Sequence, residues 1–124
     1  MDRILVIDQD RTAREQIGLA CLERGVGVVM AETVCEGVRI VLSTPVSSIV
    51  VDQRVLRLTP REQGTLFDRV APGAPVVVVI GPETPLDVRV AHELAGFRVA
   101  VRPVLVEDLL EKTLAEPVAA EALP

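Results

Sequence analysis

Short runs of β-branched residues alternate with longer amphipathic stretches along the chain, and this alternation predicts five strand–helix units. Arg3–Ile7 (RILVI) is a near-continuous apolar run, the pattern of a strand buried on both faces of a parallel sheet. Asp10 is placed to cap a helix that carries Ala13, Ile17, Ala20 and Cys21 on its apolar side, with Gly25 as its left-handed stop. Val26–Met30 predicts the second strand. Thr33 and Glu36 have capping-box spacing, and the helix they open runs to about Ser43, ahead of Pro45. Ser47–Val51 is the third strand and leads into Asp52. Thr59-Pro60-Arg61-Glu62 joins a capping box to a proline at the first helical position and starts a third helix. Val76–Ile80 is the fourth strand. Thr84-Pro85-Leu86-Asp87 repeats the cap-plus-proline device, and that helix stops at Gly96. Phe97–Val101 is the fifth strand and Leu105–Ala115 the last helix.

Strands alternating with helices imply a parallel sheet with right-handed crossovers and helices on both faces. The expected fold is α/β: a flavodoxin-like (βα)5 three-layer sandwich whose five-stranded parallel sheet has the order 2-1-3-4-5. Residues 2–115 form the expected domain, and 116–124, which lack periodicity, a tail or linker. In such a sheet the site lies at the carboxyl ends of the strands, beside the order reversal.

Composition removes several function classes. The chain has 124 residues and a formal charge of −5, which argues against binding a phosphate backbone. Phe67 and Phe97 are its only aromatic residues, too few for a base-stacking platform. With His92 as the sole histidine, no Cys/His zinc site can be built; His92 is expected at a surface or helix end. Cys21 and Cys35 are expected as small core residues. The longest apolar run, Ala74–Ile80, is far too short to span a bilayer. No secretory signal pattern opens the sequence, and a cytoplasmic setting is the expectation.

At the predicted carboxyl edge stand Asp8, Gln9 and Asp10 after the first strand and Asp52 after the third. Carboxylates from adjacent strands can hold a divalent metal or present a nucleophile. Taken singly, Asp8 and Asp10 are helix caps and Asp52 a strand end. Arg54 and Arg57 close by either neutralise an acidic pocket or belong to a solvated loop. Both readings stay open at this level.

The order of the pieces ILVIDQD, LERGVGVVMAETVCEGV, IVVD, APVVVVIG and AG…VRPV resembles the receiver domain of two-component response regulators, over about residues 2–115. The resemblance implies that acids after the first strand hold Mg²⁺ and that the Asp ending the third strand takes a phosphoryl group from a histidine kinase. A Ser or Thr after the fourth strand and a Lys before a cis-proline then bind the phosphoryl oxygens. By position, Asp8 matches the first acid and Asp52 the phosphoacceptor, and Arg54 would offer its backbone carbonyl to the metal. Gln9 stands where the second acid is expected, Ile80 replaces the hydroxyl, Arg102 the lysine, and Pro103 matches the proline. Val99 replaces the aromatic residue that moves in the switch.

These departures change the chemistry. Gln9 removes one formal negative charge, Ile80 cannot hydrogen-bond a phosphoryl oxygen, and Arg102 presents a wide planar fork instead of a compact ammonium. Leu58–Glu62 also resembles the opening of a helix-turn-helix attached to many receivers, but no recognition helix follows. The leading expectation is a degenerate receiver, not an enzyme, that acts by protein–protein interaction. Its expected partners are a histidine kinase or an attached output domain, with a homodimer left open, and it engages neither nucleic acid nor membrane. No cofactor is expected, Mg²⁺ included, and an Arg salt bridge to Asp8 or Asp52 is expected in its place. The alternatives are a genuine phosphoacceptor on Asp52 and a small-ligand-binding flavodoxin-like domain. Partner contact is expected on the face of the fourth helix, fifth strand and fifth helix, with Arg89 and Arg98 as probes.

Overall fold

The valine-rich runs pair as a five-stranded parallel sheet in the order β2-β1-β3-β4-β5, seen in a computed structural model that describes residues 3–114. The strands are β1 (Arg3–Ile7), β2 (Gly27–Ala31), β3 (Ser48–Asp52), β4 (Val76–Ile80) and β5 (Arg98–Val101). The helices are α1 (Arg11–Glu23), α2 (Val34–Ser43), α3 (Pro60–Val70), α4 (Leu86–Leu94) and α5 (Val106–Leu114), with a single 3₁₀ turn at Gln53–Val55. The tail expected over residues 116–124 lies outside the described residues.

Every residue of the central strands β3 and β4 is buried, which is why their sequences show no polar alternation. Their side chains divide between two cores. Leu5, Ile7, Ile49, Val51, Val78 and Ile80 pack with Phe67 of α3 and with Phe97 on one face. Ile4, Val6, Val50, Val77 and Val79 pack with Cys21 of α1 and with Leu109 and Leu110 of α5 on the other. The result is the expected flavodoxin-like three-layer sandwich.

Element ends shift where local hydrogen bonds compete with the ladder. Val26 and Phe97 fall outside their predicted strands because each N–H returns to the preceding helix, to Cys21 O at 2.9 Å and His92 O at 3.1 Å. Both wraps pass through a glycine at positive φ, Gly25 and Gly96. The cap predicted at Thr84 does not form. The Thr84 N–H closes a turn on Gly81 O at 3.1 Å, so Pro85 becomes the N-cap and brings no side-chain acceptor. Thr59 and Glu62, by contrast, make the full reciprocal capping box behind Pro60.

One other expectation is corrected, and one is met with an added feature. Cys35 is exposed at the start of α2, and only Cys21 is a core thiol. His92 is at the end of α4 but buried, its ring 5.9 Å from that of Phe97. It faces the sheet because residues 92 and 95–97 close the helix over the core, and burial lowers its pKa.

Candidate functional site

The register Ile7↔Val51 between β1 and β3 sets the residues that follow, Asp8 and Asp52, side by side at the carboxyl edge. Both carboxylates are buried although they carry charge. Asp8 accepts the Asp10 N–H on Oδ1 at 2.9 Å, while Asp10 accepts the Thr12 N–H at 3.0 Å as the cap of α1. Asp10 therefore acts on the site through its backbone N–H and its charge, while its carboxylate caps the helix. Gln9 is exposed and lines the cleft beside α2 and α3.

Asp52 is held by two arginines. Its Oδ1 accepts the Arg54 backbone N–H at 2.8 Å and Arg54 Nε at 2.9 Å, and its Oδ2 accepts Arg54 Nη2 at 3.0 Å. This is the bidentate fork that guanidinium geometry favours. Oδ2 also accepts Arg102 Nη1 at 2.6 Å, from the loop after β5. The Arg102–Pro103 peptide is cis, and the Arg102 N–H donates to Ile80 O at 2.9 Å. Arg54 Nη2 reaches Asp8 Oδ1 at 4.0 Å, so two carboxylates and two guanidiniums form a cluster of zero net formal charge.

The two acids respond in opposite directions. Burial pushes Asp8 above the ordinary carboxylate value, helped by the charge of Asp52 and opposed by the Asp10 hydrogen bond. Burial also works to raise Asp52, but the Arg54 hydrogen bonds, with the charges of Arg102 and Arg54, outweigh it and hold Asp52 low. The same pairing raises Arg54. Asp52 is thus a fixed anion whose lone pairs are already engaged.

Of the two loop arginines left open by the sequence, Arg54 enters the pocket and Arg57 does not. Arg57 Nη1 instead donates to the Arg54 carbonyl at 2.7 Å. Ile80 and Val99 are core residues, nearly inaccessible to solvent. The Arg salt bridge expected at Asp8 or Asp52 forms on Asp52, and it is double, because one loop folds back on Asp52 while another descends from β5.

No family model matches the chain. A receiver domain protein from Methanospirillum hungatei JF-1, described as CheY-like, superposes with a TM-score of 0.78 at 25% identity over 90% of each chain. The chain has the receiver fold. A Burkholderia pseudomallei response regulator, solved with a phosphorylated aspartic acid, a calcium ion and citrate, superposes at TM-score 0.80 with 20% identity. It aligns over 99% of this chain and 74% of its own. In sequence, the chain is 25% identical over 117 residues to the transcriptional regulatory protein GlrR of Escherichia coli (strain K12), covering 89% of this chain. It spans only 26% of that relative's length. These likenesses support a receiver domain of the response-regulator type. Among the described residues no helix is long and apolar enough to cross a membrane.

The receiver fold implies a divalent cation between the acids, and the donor set here does not fit one. Both Asp52 oxygens are engaged by guanidinium, the Arg54 carbonyl is engaged by Arg57, and Gln9 brings a neutral amide where an acid would add charge. A hard dication takes about six oxygen ligands, and two guanidiniums already supply the positive charge that the carboxylates need.

Proposed function

We propose that this receiver-fold chain is a signalling module that acts by binding protein partners, with its phosphorylation site latched by arginine. The observation that carries this reading is the closure of both Asp52 oxygens by Arg54 and Arg102. Ile80 offers no hydroxyl to sense a phosphoryl group, and Val99 no ring to relay one. A charge added at Asp52 would therefore gain little differential binding between two conformations, and without that difference no population shifts.

Resemblance to part of a transcriptional regulator supports an attached output domain or a histidine kinase as partner. The face of α4, β5 and α5 is the proposed contact surface, where Leu86, Leu94 and Leu105 stand exposed. Arg98 is a poor probe of that face, because its guanidinium donates to the Lys112 carbonyl and ties β5 to α5. Leu94→Glu is the better choice.

The competing reading, Asp52 as phosphoacceptor, is favoured by the depressed pKa that keeps it anionic. A Mg²⁺ titration followed through the backbone amides of Asp8, Asp52 and Gln53 separates the two. The latched site predicts no saturable shift at millimolar Mg²⁺. Saturation confined to those amides would favour the phosphoacceptor.

A further inference from the structure

Gln63 lies on the inner face of α3, one turn before Phe67, with no solvent-accessible surface. Neither its Oε1 nor its Nε2 has a hydrogen-bond partner. A buried carboxamide left unpaired opposes folding, so its presence in an otherwise apolar position calls for a ligand or a function.

Gln63 lines a cleft of about 340 Å³ between the start of α2, the loop after β3 and α3. That volume is within the range of small-molecule sites. Val34, Val55 and Leu66 give it apolar walls, and Cys35 stands exposed at its side. Glu32 and Arg57 also line it, with opposite charges, so the cleft favours neither an anion nor a cation. A carboxamide presents a donor and an acceptor side by side, and its complement is a group with the same pair reversed.

We propose that this cleft binds a small, neutral, mostly apolar molecule bearing a lactam or cyclic imide edge, which pairs with the Gln63 carboxamide. The inference does not depend on how Asp52 is used. Because the amide is covered, pairing with it requires side chains that line the cleft to move, and Arg57 and Leu58 among them are exposed.

The test is a titration of the isotopically labelled chain with ε-caprolactam, read from the Gln63 side-chain NH₂ and the Cys35 and Val55 amides. Saturable shifts at all three are expected, with a dissociation constant of about a millimolar for so small a probe. N-methylcaprolactam, which keeps the ring but loses the donor, should bind at least about tenfold more weakly, as should caprolactam to Gln63→Leu. Alkylating Cys35 with iodoacetamide, while buried Cys21 is spared, should block the cleft. The N-methyl and alkylation arms use the unaltered sequence and decide the case even where Gln63→Leu does not fold. Equal binding of the two lactams, undiminished binding after Cys35 alkylation, or shifts absent up to the solubility limit of caprolactam would each overturn the proposal.

Discussion

Asp8 and Asp52 are neighbours of the same chemical type, yet their surroundings drive them apart, and stability should record it. Asp52 titrates below its ordinary value of 3.8. Its contribution is present above that pH and is lost as pH falls through the lower, folded value. Asp8 titrates above 3.8, so its ionisation costs stability as pH rises through the raised value. Asp8→Asn keeps an oxygen for the Asp10 N–H and removes the buried charge. It should stabilise the chain at neutral pH, and the gain should vanish near pH 3.8. Denaturant unfolding across that range measures it; a gain independent of pH would contradict the assignment. Arg54→Ala should move the Asp52 titration upward, read by carboxyl-carbon NMR, since it removes the fork and one of two adjacent charges. Sequence placed Asp8, Asp52 and Arg102 correctly at the strand ends. It left Arg54 undecided and passed over Gln63, although a polar residue four before Phe67 on the apolar side of α3 was a visible signal.

Among the elements, helix starts show which sequence signals are sufficient. Thr59-Pro60-Arg61-Glu62 and Thr84-Pro85-Leu86-Asp87 have the same Thr-Pro opening, but only the first becomes a capping box. The difference lies upstream: Gly81 draws the Thr84 N–H into a turn, whereas the Thr59 N–H remains free to donate to the returning Glu62 carboxylate. Thr59→Ala should therefore cost about 1 kcal/mol, and Thr84→Ala much less. Thermal melts of the two variants side by side test this, and equal losses would show that the turn is not what separates them. The strands were legible because both-face burial leaves uninterrupted Val and Ile runs. Their ends were not, because helix-closing hydrogen bonds remove Val26 and Phe97 from the ladder.

At the scale of the whole molecule, a parallel sheet brings the ends of β1, β3 and β5 to one edge, and that edge holds two acids and two arginines within a few residues of sequence register. The scaffold is that of a receiver, but the centre is electrostatically closed without an added ion. On the proposed reading, the partner surface on α4, β5 and α5 operates without a phosphoryl signal. Incubating the wild-type chain with Mg²⁺ and acetyl phosphate, then measuring its intact mass beside Asp52→Asn, tests this most directly. The account predicts that both masses stay unchanged. A gain of one phosphoryl group by the wild type that Asp52→Asn does not share would contradict it.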